Sequence, residues 1–200
     1  MSIGKTFLVV GLGNPEGKYF QTYHNAGFTA ADLLAARHTG TFKKKGNQMI
    51  CDFRTSGDAK VFILKPLTYM NLSGQAVVAV MRKQKIAPGN VIVLFDDVYI
   101  DKGNIRVRFG GSGGGHNGIR SIDELLGTNK YFKIKIGIKP EKKPHTMSCY
   151  VLSKIDQESK VLVDNALGKA VDAAMMLVSG EGLGVVQGLF NQTNEEEAQR

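Results

Sequence analysis

Apolar positions recur along this chain with two periods, one near two residues and one near 3.6, in alternating blocks. Phe7 to Val10 is a short apolar run that stops at glycines, as a buried strand does. Ala26 to Arg37 has helical spacing, with Phe28, Ala31, Leu34 and Ala35 on one side. Met49 to Arg54 and Lys60 to Leu64 flank a Thr-Ser-Gly-Asp turn and predict a hairpin. Leu72 to Lys85 reads as a helix with Val77, Val80 and Met81 inward, closed by the Pro88-Gly89 turn. Val91 to Phe95 is an uninterrupted apolar strand, the pattern of burial on both faces. Ile105, Val107 and Phe109 alternate with Arg106 and Arg108, giving one apolar and one basic face. A helix over Asn117 to Leu126 and a strand over Phe132 to Ile138 follow. The last long helix spans Asp156 to Val178, offering Val161, Leu162, Ala166, Ala170, Ala173 and Ala174 for packing, and Val185 to Phe190 adds a turn or two.

Strands alternating with helices predict an α/β fold: a single-domain three-layer sandwich over residues 1–200, its central sheet mixed but mostly parallel and flanked by helices. The early hairpin is what makes the sheet mixed. Gly110 to Gly115 reads as a mobile glycine loop broken only by Ser112, and Lys139 to Met147, rich in proline and lysine, as a second loop. There is no repeat, low-complexity tract or linker.

Composition narrows the class. With 42% hydrophobic and 22% charged residues, the chain matches ordinary globular proteins. No apolar run approaches the roughly 20 residues of a membrane span. The opening apolar stretch is too short for a signal peptide and is interrupted by Gly11, Gly13 and Asn14, so it reads as a first strand of a cytoplasmic protein. Cys51 and Cys149 form no CxxC pair and no metal-ligand spacing, which predicts reduced thiols buried as small core residues. The net charge of +8 points to a polyanionic partner. Lys43 to Lys45 form one basic run, and Arg82, Lys83 and Lys85 another. A third basic stretch runs from Arg106 to Lys143, while Glu195 to Glu197 stand apart in the tail. Without a basic amphipathic helix bearing bulky aromatics, nucleic acid is favoured over membrane.

Several chemistries are poorly served. No GxSxG is present, neither cysteine has a catalytic setting, and Asp96-Asp97 alone is a weak metal signal. GLGNPEG places Gly11 and Gly13 as in a dinucleotide loop, but Glu16 stands at the third glycine and Pro15 removes a donor. What remains is a set of amides beside histidines and one carboxylate. Asn14 follows the first strand, Asn71 the third, Asp96 the Val91 to Phe95 strand, and Asn117 the glycine loop. In open α/β sheets, groups beyond the carboxyl ends of parallel strands converge on one crevice, and His24 can enter it from the loop leaving the first strand. Such a set suits water as nucleophile: imidazole takes its proton, a carboxylate fixes the tautomer, and amide NH2 groups hold an oxyanion. Singly, each residue also has a structural role open to it. His24-Asn25 and Asn71 can cap helices, and Asn14-Pro15 can form a turn.

Five segments, VVGLGNPEGKYFQTYHNAGF (9–28), KPLTYMNLSGQAV (65–77), VIVLFDDVYIDKGNIRVRFGGSGGGHNGIRSI (91–122), YFKIKIGI (131–138) and YVLSKI (150–155), resemble in order the motif blocks of bacterial-type peptidyl-tRNA hydrolases. The resemblance implies hydrolysis of the ester joining peptide and tRNA 3′ end, recycling tRNA from abandoned translation, by a cytoplasmic monomer without metal or organic cofactor. By motif, His24 matches the catalytic base and Asp96 its carboxylate partner. Asn14 and Asn71 match substrate-positioning amides, and Asn117 a group that orients water or stabilises the transition state. Tyr19 and Met70 match the lining of the peptide and 3′-end channel, with His116 on the same rim, and Arg108 and Lys135 match a clamp on the tRNA 5′ phosphate. Two positions depart from the pattern: Tyr23 stands where arginine is usual, and Tyr69 where phenylalanine or methionine is common. A non-catalytic RNA-binding protein on the same fold is the competing reading.

Overall fold

The structure, a computed structural model, describes residues 5–191, so the acidic run at Glu195 to Glu197 lies outside the described residues. Its framework is one seven-stranded sheet in the order β2-β3-β4-β1-β5-β7-β6. The strands are β1 (Thr6–Gly11), β2 (Lys43–Lys44), β3 (Gln48–Arg54), β4 (Lys60–Pro66), β5 (Val91–Asp97), β6 (Ile105–Phe109) and β7 (Phe132–Gly137). The helices are α1 (Ala26–Arg37), α2 (Ser73–Gln84), α3 (Asn117–Leu126), α4 (Met147–Val151), α5 (Gln157–Val178) and α6 (Leu183–Phe190).

The four inner strands, β4, β1, β5 and β7, are parallel, and β2, β3 and β6 pair antiparallel outside them. The sheet is thus mixed at both edges, not only at the hairpin. Apolar residues on both faces of the inner strands account for the three layers. Val9, Ile92 and Leu94 face the layer containing α1 and α5, while Leu8, Val10, Val93 and Phe95 face α2 and α3. Each face removes a full set of branched side chains from water, the dominant favourable term in folding.

Two sequence expectations need correction. Val161 and Leu162 are 67% and 41% exposed, so they do not contribute to the packed stripe of α5. Ala166, Ala170, Ala173 and Ala174 pack as expected, and Val163 and Leu167 take the places of Val161 and Leu162. At about 100° per residue, Val161 lies roughly 200° around the helix from Val163, facing solvent. Cys51 is buried as expected, but Cys149 is exposed, because it sits on the short surface helix α4. That helix and β2 were not predicted; α4 starts where Thr146 Oγ1 accepts from the Cys149 amide at 3.3 Å.

Glycine decides how closely β1 and α1 approach. A Cβ on Gly11 would lie 2.2 Å from the Gly27 carbonyl oxygen, and one on Gly27 would lie 2.3 Å from that of Leu94. This contact seats the start of α1 against the carboxyl ends of β1 and β5, the end of the sheet where the polar residues gather.

Candidate active site

Asp96 is the penultimate residue of β5, one step beyond the predicted end of the strand at Phe95. It is 4% exposed. His24 lies in a single 3-10 turn, Tyr23–Asn25, immediately before α1. Its Nδ1 is 3.0 Å from both carboxylate oxygens of Asp96. On the other side, His116 Nε2 is 3.1 Å from Asp96 Oδ1. His116 caps α3, its Nδ1 accepting from the amides of Gly118 and Ile119 at 3.1 and 3.4 Å.

These partners fix the protons. Backbone N–H groups occupy the lone pair on His116 Nδ1, so its hydrogen is on Nε2 and is donated to Asp96. An ionised Asp96 can only accept, so His24 donates from Nδ1 and keeps a free lone pair on Nε2. Among the described residues, His24 Nε2 has no hydrogen-bond partner. Burial opposes a charge on Asp96, but the two histidines outweigh it and hold the carboxyl far below its ordinary range. Burial likewise opposes the imidazolium form of His24, and Asp96 outweighs it, so the His24 pKa is raised. His24, Asp96 and His116 are also the only acid, His or Cys trio among the described residues with ligand atoms close enough, within 4.8 Å, to share a cation. Their mutual hydrogen bonds already satisfy the facing atoms.

The trio sits in a cleft of about 520 Å³ that also takes in Asn14, Met70, Asn71 and Asn117. Among the described residues, none of the side-chain amides of Asn14, Asn71 and Asn117 is hydrogen-bonded to another protein group, although the Asn14 backbone N–H is. The capping alternatives do not apply: the residue before α2 is Leu72, and no side chain caps either α1 or α2. Asn25, read only as a cap, clamps its neighbour across the loop. Its Oδ1 accepts from the Asn14 amide at 2.8 Å and its Nδ2 donates to the Asn14 carbonyl at 3.0 Å, holding that loop at the cleft mouth. Met70 is buried beneath the floor against Gly118, and Tyr69 is 65% exposed at the rim. His116 lines the cleft, but both its ring nitrogens are engaged, so it supports Asp96 rather than standing at the rim. Tyr19 is the one predicted channel residue outside the cleft lining; its carbonyl accepts from Thr22 Oγ1 at 2.8 Å.

The glycine loop closes one side, with positive φ at Gly110, Gly111, Gly114 and Gly115. Side chains strongly disfavour that backbone, which explains the composition of the loop. The opposite wall comes from α4, through Met147, Ser148 and Val151, and sequence periodicity gave no sign of it. Behind His24, Tyr23 is 1% exposed. Its hydroxyl donates to Asp156 Oδ2 at 2.7 Å, and its ring stacks on Tyr150 at 4.8 Å. Asp156 in turn caps α5 through the Ser159 amide at 2.7 Å. A larger hollow of about 750 Å³ lies between α1 and α5 and shares no lining residue with the cleft.

The family model for peptidyl-tRNA hydrolase matches residues 8–199 of the chain. The chain belongs to the peptidyl-tRNA hydrolase family. It is 40% identical over 176 residues to the peptidyl-tRNA hydrolase of Agathobacter rectalis, covering 88% of this chain and 95% of that one. It is 39% identical over 189 residues to that of Clostridium acetobutylicum, covering 94% and 97%. The crystal structure of the Acinetobacter baumannii peptidyl-tRNA hydrolase superposes with a TM-score of 0.85 at 33% identity, over 94% of this chain and 95% of that one. In this family member the basic face of β6 and β7 borders the cleft. Arg106 pairs in register with Lys135, and Arg108 with Lys133, so all four side chains share one face. Lys135 is ion-paired with Asp97 at 2.8 Å, close to Gly114. Lys133 is fully buried and donates to the Gly111 carbonyl at 2.6 Å, fastening the glycine loop. Arg106 and Arg108 are exposed and, among the described residues, unpaired.

Proposed function

We propose that this protein hydrolyses the ester between the peptide and the tRNA 3′ end of peptidyl-tRNA, with His24 as general base and water as nucleophile. The observation that carries the mechanism is the pairing of His24 Nδ1 with buried Asp96 at 3.0 Å, which leaves Nε2 as the basic atom in the cleft. His24 Nε2 takes a proton from water as its oxygen bonds to the ester carbonyl carbon. Asparagine NH2 groups of Asn14, Asn71 or Asn117 hold the resulting oxyanion, and Asp96 supports the imidazolium. Collapse of the tetrahedral intermediate breaks the bond to the ribose oxygen, which leaves with the proton from His24.

The exposed guanidinium of Arg108, with Lys135 at the cleft edge, is the proposed seat of the tRNA 5′ phosphate. Met70 shapes the channel for the 3′ end, and Tyr19 approaches the substrate only beyond the cleft lining. The reaction is proposed to need no metal or organic cofactor, in a monomeric cytoplasmic protein formed of one domain. Among the described residues no helix is long and apolar enough to cross a membrane. The competing reading, a non-catalytic RNA binder, leaves the His24–Asp96–His116 trio without a purpose. The test is release of N-acetylamino acid from N-acetylaminoacyl-tRNA. His24→Ala is expected to abolish release while tRNA binding persists; near-normal turnover by that variant would refute the assignment.

A further inference from the structure

The basic stretch of the sequence contains one lysine that no phosphate can reach. Lys133 pairs in register with Val93 of β5, so its side chain faces the layer of α2 and α3, and no part of it meets solvent. Its ammonium lies 2.6 Å from the Gly111 carbonyl oxygen, 3.4 Å from Asp123 on α3 and 4.4 Å from the centre of the Tyr131 ring. The Tyr131 hydroxyl donates to the same Asp123 oxygen at 2.6 Å. Burying a charge is costly even when it is paired, and an apolar side chain of similar length would pack here without that cost. Burial accordingly pushes the Lys133 pKa down, although Asp123 opposes it.

We propose that Lys133 is a positioning residue for the reaction: its ammonium ties the glycine loop to α3 and so holds the cleft wall and His116 in place against Asp96. The inference rests on the proposed function above. Gly113, Gly114 and Gly115 line the cleft, and the loop takes positive φ at Gly110, Gly111, Gly114 and Gly115. A glycine backbone has little stiffness of its own and keeps one shape only where its surroundings fix it. Two backbone bonds help to do so, from the Gly110 amide to the Tyr131 carbonyl at 2.9 Å and from the His116 amide to the Gly113 carbonyl at 3.1 Å. Lys133 adds a buried, charge-assisted bond at Gly111. Its second partner, Asp123, lies on the helix that His116 caps. The ammonium therefore sets loop and helix relative to each other. His116 stands between the two and carries that placement to Asp96 at 3.1 Å.

The experiment replaces Lys133 by methionine, which keeps the length and removes the ammonium. Amide hydrogen exchange is expected to speed up about tenfold at Gly110 and His116, and to stay unchanged at Leu12, whose amide donates to the Leu94 carbonyl. The urea midpoint is expected to hold or rise. In single-turnover release of N-acetylamino acid, kcat is expected to fall about tenfold, the effect of a displaced supporting group. Affinity for deacylated tRNA and its salt dependence are expected to stay within about twofold, because a buried ammonium makes no phosphate contact. The proposal is overturned if exchange at Gly110 and His116 is unchanged, or if kcat stays within about twofold of wild type. It is also overturned if Leu12 exchange rises in the same proportion, since Lys133 would then serve stability alone, or if tRNA affinity falls with kcat. Should Lys133→Met fail to fold, Asp123→Ala loosens the same tether from α3, where the side chain is 28% exposed. It is expected to give the same pattern of exchange, and unchanged exchange or a second failure to fold would overturn the proposal. A wild type inactive on N-acetylaminoacyl-tRNA would instead refute the proposed function, and the exchange measurements, which need no substrate, keep the two failures distinguishable.

Discussion

Replacing Asp96 by asparagine is expected to lower kcat about 10³-fold while leaving tRNA affinity within about twofold. Because His116 Nδ1 is held by two backbone amides, its Nε2 must keep its hydrogen. The new side chain must therefore present its oxygen to His116, since the flipped amide would set N–H against N–H at 3.1 Å. Its NH2 group then lies where Asp96 Oδ2 stood, 3.0 Å from His24 Nδ1. A donor there favours the tautomer protonated on Nε2, which cannot act as the base. The imidazolium also loses its counter-charge. At about 3 Å and an effective dielectric near 20, that pair is worth at most about 5 kcal/mol, a ceiling approaching 10⁴ in rate. The His24 side chain is 13% exposed, and solvent recovers part of this. The assay is single-turnover release of N-acetylamino acid as a function of pH. Activity requires neutral His24, and its pKa is raised in the wild type. The wild-type rate therefore falls with decreasing pH through a value above the usual histidine pKa of about 6.5. In the variant only burial remains, which lowers the pKa, so the limb moves to lower pH. An unmoved limb with kcat within about threefold of wild type would refute the reasoning.

Tyr23→Phe keeps the ring on Tyr150 but removes the hydroxyl that donates to Asp156 at 2.7 Å. A stability loss of about 1 kcal/mol in urea unfolding is expected, with kcat falling more than KM changes; a KM effect alone would place Tyr23 outside the alignment of His24. Arg108→Ala is expected to weaken tRNA binding and reduce the slope of log affinity against log salt by about one, measured by titration at several salt concentrations. An identical slope would move the phosphate contact elsewhere.

How far the site was legible follows from which interactions are local. Period and turn chemistry are local, and α1, β6 and α3 fall at their predicted bounds. β2 has only two residues and α4 five, too short for a period to register. Asp96 was legible because a carboxylate ending a wholly apolar strand must point into a crevice or be paired. His116 was placed at the site by its motif, but its support of Asp96 was not legible, because that depends on which nitrogen faces the α3 amides, and no spacing encodes that. Tyr23 was visible only as a departure from a motif. Its partner Asp156 is 133 residues away, and only the fold brings the two together.

The alignment of the base is a property of the β1–β5–α1 junction more than of His24 itself. In register, Gly11 lies beside Leu94, so Asp96 extends two residues beyond the last residue of β1. The space over that overhang is where the turn bearing His24 arrives, and it arrives there only because Gly11 and Gly27 let backbones touch. The Phe28 amide donates to the Leu12 carbonyl, and the Leu12 amide to the Leu94 carbonyl, both at 3.0 Å, locking the three segments together. From the other side, Tyr23 and the Gln21–Tyr23 backbone are tied to the segment between α4 and α5. The Tyr23 amide donates to the Ser153 carbonyl at 3.2 Å, and the Ile155 amide to that of Gln21 at 2.9 Å. His24 is thus held between the sheet and the α4 wall, and α4 itself lines the cleft. Its orientation toward Asp96 and the shape of the cleft are therefore set by the same backbone contacts.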